Sequence, residues 1–304
     1  MIFPEKLKKG DTIGVIAPSS PVTKEEADLC KALVEDMGYK VKMASCVYRS
    51  IHGYSAGTGE ERAKDINDMF ACKEVKAIWC IRGGDTSSHV MDKIDFEIIK
   101  QNPKVFIGYS DVTNLHVNIN QRCNLITFHG PMIKSDMLKG FDDFTKDSLE
   151  KALTMDKELI LENPKGEDFK VMVEGQAEGL IVGGNLSLLT SMIGTPYEVD
   201  TRGKILFIED VDEPVRKLDR MMYQLKYSKK LDMAAGIIFG DFTDCVNTVD
   251  KSYDVIEMLK ELLADYDKPV MYNIRSGHCH PMSTIPLGTK CTMDTGSKNI
   301  KFTI

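Results

Sequence analysis

The stretch KVFIGYSDVTNLHVNI (Lys104 to Ile119) changes character at its middle. A short β-branched and aromatic run, KVFI, gives way at Gly108-Tyr109-Ser110-Asp111 to a segment that reads as a helix, VTNLHVNI. A strand feeding a helix through a glycine turn is half of a βαβ unit, and the same alternation runs outward on both sides. Upstream, strand-like TIGVIA (12–17) precedes a helix from Thr23 to Met37 with Ala27, Leu29, Ala32, Leu33 and Met37 near helical spacing. A strand over Lys40 to Met43, a helix over Glu60 to Phe70 and a strand over Ala77 to Ile81 lead to Val105–Ile107 and the helix Val112 to Asn120. Downstream, strands GLIVGG (179–184), KILFIED (204–210), GIIFGDF (236–242) and PVMYNI (269–274) alternate with helices over Leu186 to Ile193, Pro214 to Tyr227 and Tyr253 to Leu263. This is an α/β pattern with right-handed crossovers and parallel strands. Between the two series, Ser135 to Gln176 is charged and mixed, with one helix expected near Asp147 to Leu153. The expected division is a first domain at 1–135, a connecting region at 136–176 and a second α/β domain at 177–304.

Composition agrees with that scale. A chain of 304 residues suits two domains, each with its own core. Acidic residues outnumber basic ones, 46 to 39, and the net charge of -7 is the wrong sign for tracking a phosphate backbone, so nucleic acid is not an expected partner. No apolar run reaches the roughly 18 residues that span a bilayer, and no signal-type core follows Lys6, Lys8 and Lys9, which points to a cytoplasmic protein without membrane association. The eight cysteines are scattered, contain no Cys-x-x-Cys pair and read as reduced packed thiols.

Candidate chemistry collects at strand exits. Ser110 stands on a tight strand-to-helix turn, where a hydroxyl is presented beside helix N-terminal N–H groups; the competing reading is an ordinary helix N-cap. Arg82-Gly83-Gly84-Asp85 follows AIWCI at the same edge of the sheet. Adjacent glycines let backbone N–H groups converge on an oxyanion, and Arg82 suits a substrate carboxylate; a plain glycine turn is the alternative. Neither this loop nor Ala17-Pro18-Ser19-Ser20 has a dinucleotide or P-loop signature. In the second half, Glu209 and His278 also lie at strand exits and could complete a Ser-His-acid relay, against the simpler readings of a surface ion pair and a loop histidine. His278-Cys279-His280 offers two metal ligands without a third, so no metal is expected. His129, after a strand, either faces a cleft or packs. Trp79 reads as core.

Taken together, IRGGDTSSHVMDKID, NPKVFIGYSDVTNLH, ITFHGPM, GLIVGGNLSLLTSMIGTP, KILFIEDVDEPVRKLDRMMYQL and SGHCHPMSTIPLG resemble the LD-carboxypeptidase family of serine peptidases, from about residue 6 to residue 300. That family includes muramoyl-tetrapeptide carboxypeptidases of murein recycling and microcin-C self-immunity peptidases. The resemblance implies a flavodoxin-like N-terminal domain and a swivelling β/α C-terminal domain, with a triad in the cleft between them. It matches Ser110 to the nucleophile, His278 to the base and Glu209, rather than Glu213, to the orienting acid. Backbone N–H groups of Asp111 and of Gly84, or of Gly83, become the oxyanion donors. The implied enzyme needs no cofactor and is a homodimer. Its substrate is a small peptide or a peptide-nucleotide conjugate, with Arg82 and Asp85 as candidate binding residues. Murein-recycling members commonly read R-G-G-Y-G where this chain has Arg82-Gly83-Gly84-Asp85-Thr86. AGTGEER (56–62), NPKVFIGYSD and the linker length lean instead toward the immunity branch, yet Arg82 leans the other way and no tryptophan lies in the linker to stack on a base. A non-catalytic peptide-binding protein is the remaining alternative.

Overall fold

Runs such as VKAIWC, VFIG and ILFIEDV are apolar along most of their length and become the central, largely buried strands of two sheets. The coordinates are a computed structural model describing residues 1–304. The first sheet is built from β1 (Thr12–Ile16), β2 (Lys40–Met43), β3 (Val75–Cys80), β4 (Val105–Gly108) and β5 (Thr127–His129). These five run parallel in the order β2-β1-β3-β4-β5, the flavodoxin-like arrangement, in which ligands sit beyond the carboxyl ends of the strands. Its helices start where the local chemistry says they should. Thr23 and Glu26 form a capping box on Lys24–Asp36, and Thr58 and Glu61 form another on Gly59–Ala71. A short helix, Phe96–Gln101, capped by Asp95, is an element absent from the sequence reading.

Nine further strands follow: β6 (Glu158–Ile160), β7 (Lys170–Val173), β8 (Gln176–Asn185), β9 (Ile205–Val211), β10 (Gly236–Thr243), β11 (Val270–Tyr272), β12 (Ile285–Leu287), β13 (Lys290–Asp294) and β14 (Asn299–Thr303). Eight of them form the second sheet, β6-β14-β13-β8-β9-β10-β11-β7. Only its centre, β8 to β11, is parallel; β13, β14, β6 and β7 pair antiparallel. The segment expected to connect therefore carries more structure than its composition suggests. Besides the helix Asp143–Thr154 it supplies both edge strands of the second sheet.

β12 does not stay with its sequence neighbours. It crosses to the first sheet and pairs antiparallel with β5, Ile285 opposite His129. The two sheets also meet at the helix Thr113–Cys123: the Asn185 N–H donates to Thr113 Oγ1 over 3.0 Å, and a Cβ at Gly184 would lie 2.5 Å from that oxygen. Only a glycine permits this approach, so the end of β8 is seated directly on the start of the helix that follows Ser110. No helix is long and apolar enough to cross a membrane.

Candidate active site

β4 ends at Gly108, and the chain turns through Tyr109 into a 3-10 turn, Ser110–Val112, that runs into the helix. Ser110 has φ of +64°, a left-handed conformation unusual for a residue with a Cβ, which costs on the order of 1–3 kcal/mol and recurs at functional sites. The strain turns the side chain out of the turn. Its hydroxyl does not cap the helix; it lies 3.0 Å from His278 Nε2. His278 Nδ1 in turn lies 2.8 Å from Glu209 Oε2. Ser110, His278 and Glu209 are thus joined in one hydrogen-bonded chain, drawn from the first sheet, the loop after β11, and β9.

Each link is prepared by its surroundings. Glu209 lies within β9 rather than beyond it and is fully buried, so its carboxylate depends on partners within the protein. Gly277, at φ +127°, makes the approach possible: a Cβ there would meet Glu209 Oε2 at 2.7 Å. Burial pulls the His278 pKa down, but the charge and hydrogen bond of Glu209, with Asp210 and Asp136 beyond, outweigh it and raise the imidazole above its ordinary value. Glu213 points elsewhere, paired with Lys217 at 3.1 Å. Asp210, on the opposite face of β9, accepts from Asn185 Nδ2 and from the N–H and hydroxyl of Ser187, holding the start of the helix Leu186–Ser191.

The glycine loop closes over the serine. A Cβ on Gly83 would lie 3.0 Å from Ser110 Cβ, 3.1 Å from its Oγ and 3.5 Å from Asp111 N. Gly84, at φ +152°, passes so close to Ser19 and Ser20 that a Cβ would fall 2.0 Å from Ser20 Oγ. What ties the loop down is the side chain of Asp111, a role the sequence did not reveal. Fully buried, it accepts from the N–H groups of Thr86 (2.9 Å) and Ser87 (2.8 Å) and from the Ser87 hydroxyl (2.7 Å). Arg62, also buried, donates to the carbonyls of Pro18, Gly57 and Thr86 and balances that charge. The cleft over Ser110 has a volume of about 390 Å³, and Arg82, Asp85, Lys139 and Asp244 are on its walls. Arg82 donates to the Pro21 carbonyl at 3.2 Å and forms no ion pair; Asp85 is exposed and likewise unpaired.

The other histidines separate cleanly. His280 stands 3.4 Å from Asp136, and it is His278 whose ring reaches the Ser110 hydroxyl. No three His, Cys, Asp or Glu side chains gather as a metal site. His116 bridges the Gly108 carbonyl and the Thr127 hydroxyl, both at 2.8 Å, and burial lowers its pKa to about 4. His129, the last residue of β5, is fully buried against Phe207 and Tyr109 and does not face the cleft; burial holds it neutral. Trp79 is core, its indole N–H donating to the Pro131 carbonyl.

Two α/β sheets facing each other across a cleft, with a strained serine on one and a glutamate-histidine pair on the other, define a class of α/β hydrolytic enzyme. Residues 13–130 match the model of the LD-carboxypeptidase N-terminal domain and residues 178–293 that of its C-terminal domain. A probable murein peptide carboxypeptidase of Bacillus subtilis (strain 168) is 43% identical over 97% of this chain and 92% of its own length. The microcin C7 self-immunity protein MccF of Escherichia coli is 30% identical over 98% and 94%. Among solved structures, a tryptophan-to-phenylalanine mutant of MccF in complex with adenosine monophosphate superposes with a TM-score of 0.91 at 29% identity, covering 100% of this chain and 99% of that one. A muramoyltetrapeptide carboxypeptidase from Oxalobacter formigenes gives 0.82 at 28%, covering 95% and 97%. The chain belongs to the LD-carboxypeptidase family and is a peptidase.

Proposed function

We propose that the protein is a serine carboxypeptidase in which Ser110 is the nucleophile, His278 the general base and Glu209 the group that fixes and charges-balances the imidazole. The hydrogen-bonded chain from Ser110 Oγ through His278 to Glu209, with Ser110 in a strained left-handed turn, carries this reading. As Ser110 Oγ attacks the scissile carbonyl carbon, its proton passes to His278 Nε2, and the imidazolium is stabilised by Glu209. The negative charge that develops on the carbonyl oxygen is received by the backbone N–H of Asp111 and that of Gly84 or Gly83, at the start of a helix. His278 then returns the proton to the departing amine, and water, activated by the same histidine, hydrolyses the acyl-enzyme. No metal or organic cofactor enters these steps.

The bond we assign is the L,D-peptide bond to the terminal D-Ala of murein tetrapeptide, with Arg82 clamping the free carboxylate and Asp85 lining the rim. The 43% identity to a probable murein peptide carboxypeptidase supports this choice. A peptidyl or aminoacyl nucleotide is the second reading, supported by the overlay on MccF bound to glutamyl sulfamoyl guanosine, TM-score 0.89. Against it, the only tryptophan, Trp79, is buried far from any role in stacking on a base. The enzyme is proposed to act in the cytoplasm as a homodimer, for which sedimentation as a single species of twice the chain mass is the check.

Mass spectrometry of products from murein tetrapeptide and, separately, an aminoacyl sulfamoyl adenylate tests the whole scheme. Wild type is expected to release D-Ala from the tetrapeptide, and Ser110→Ala to be slower by more than about 10⁴-fold. Cleavage of the nucleotide conjugate alone would transfer the assignment to the second reading. Full activity in Ser110→Ala would end the mechanism.

A further inference from the structure

His278 has to keep its ring aimed at two partners at once, and Glu209 and Ser110 fix only its nitrogens. A third group acts on the ring itself. Tyr109, the residue before Ser110, lies in an extended conformation with its ring edge-on to His278, centroids 4.8 Å apart at 65°. The tyrosine is in turn anchored: its hydroxyl donates to Asp136 Oδ1 over 2.8 Å. Asp136 sits in a single π-helical turn, Ile133–Met137, a rare local geometry that recurs at functional sites, and its Oδ2 accepts the Met132 N–H at 2.7 Å. It is only 2% exposed, yet it borders the cleft. A buried carboxylate on the wall of a substrate cleft, bonded through a tyrosine to the base, is more than a packing device.

We propose that Asp136 is a positioning residue for the reaction: through the Tyr109 hydroxyl it clamps the His278 ring between Glu209 and Ser110, and in its ionised form it favours the imidazolium that forms when Ser110 gives up its proton. The inference rests on the reading of Ser110, His278 and Glu209 as the catalytic relay. Several ionisable groups surround the ring, with the buried, neutral thiol of Cys279 next to it in the loop. Glu209 and Asp210 act from β9, Asp136 from the π-turn, and the neutral His129 and Tyr109 from the first sheet. His280, at 3.4 Å, faces Asp136 rather than the ring of His278. Across the cleft, Arg82, Lys139, Asp85 and Asp244 lie at the solvent side, where water screens them. Among the carboxylates, Asp136 alone is coupled to the ring both by charge and by a rigid aromatic contact.

Asp136→Asn separates these two effects. The amide keeps both hydrogen bonds, its oxygen accepting from Met132 N–H and its NH₂ donating to the Tyr109 oxygen, while the charge is gone. Removing a negative charge disfavours the imidazolium, so the acid limb of the pH dependence of kcat/KM for murein tetrapeptide is expected to move down by roughly half a pH unit, less than the roughly 1–3 units of a directly contacting charge. The His278 resonance, titrated by NMR in the Ser110→Ala background with and without Asp136→Asn, is expected to move by the same amount without any need for activity. Tyr109→Phe retains the ring and loses the anchor; kcat is expected to fall about tenfold with KM within twofold, the signature of a misaligned transition state. An unmoved His278 titration together with an unmoved acid limb would overturn the charge role, and a wild-type kcat in Tyr109→Phe would overturn the clamp. If Ser110→Ala itself stays active, the relay has failed and the clamp, which rests on it, falls with it. If Ser110→Ala is dead while Asp136→Asn and Tyr109→Phe match wild type, only the clamp has failed.

Discussion

Ser110 and His278 are each set by a neighbour with no side chain at all. Gly83 lies against Ser110, and the Cβ of Gly83→Ala, 3.0 Å from that of the serine, could be accommodated only by moving the loop or the hydroxyl. Because misplacement of reacting groups by an ångström costs about 10²-fold, Gly83→Ala is expected to lower kcat by about that factor while leaving thermal stability near wild type, as steady-state kinetics and melting curves would show. The raised pKa of His278 has a sign that can be checked in the same assays. In the proposed mechanism the histidine must be neutral to take the serine proton, so kcat/KM should fall as pH drops through the His278 pKa, and that limb should lie above the ordinary imidazole value near 6.5. An acid limb below that value would count against the Glu209 contact as the dominant influence on the ring.

The helix Thr113–Cys123 shows how an element carries the site. Its His116 ties the Gly108 carbonyl at the end of β4 to Thr127 at the start of β5, one turn of chain from Ser110. This is a base whose folded pKa, about 4, lies below its unfolded value. The unfolded chain therefore takes up a proton that the folded one refuses, and stability present above pH 6.5 is lost as pH falls toward 4, then levels off. The shift corresponds to about 3 kcal/mol. Denaturant unfolding at pH 7 and pH 4 should register that loss, and His116→Gln should remove its share of the pH dependence. The same element marks the limit of reading from sequence. The turn GYSD, the strand before it and the helix after it were legible because a buried run, a glycine and a helical segment succeed one another within sixteen residues. Glu209 and His278 could be picked out as candidates by their expected places at strand ends, although Glu209 lies inside β9, and preferring them to Glu213 and His280 rested on the family's motif order. Asp111 as the anchor of the glycine loop and Asp136 as the anchor of Tyr109 were not legible, since nothing local distinguishes a buried acid from a solvated one. The strands β6 and β7 escaped for a related reason: three or four residues at a sheet edge, half exposed, are too short to display a period.

Across the whole molecule, the cleft is a junction between two sheets, and the chain crosses it more than once. The serine belongs to the first sheet and the glutamate to the second, while the histidine loop starts from β11 in the second and ends in β12 in the first. The hydrogen-bonded chain of Ser110, His278 and Glu209 is therefore aligned only when the sheets are. The return of β12 has a consequence for any attempt to divide the chain. Without it, β5 keeps its pairing with β4 but exposes its other edge, in a stretch, ITFHG, that lacks the lysines or prolines that discourage pairing between molecules. A fragment ending at residue 176 retains all five parallel strands of the first sheet, yet it is expected to aggregate on expression, and supplying residues 177–304 from a second plasmid should return it to the soluble fraction. A monodisperse, cooperatively melting 1–176 fragment would refute this. The prolonged excursion of a single three-residue strand thus acts as a stopper on an adhesive edge, and gene fusions or circular permutants of this protein should not open the chain between His278 and Leu287.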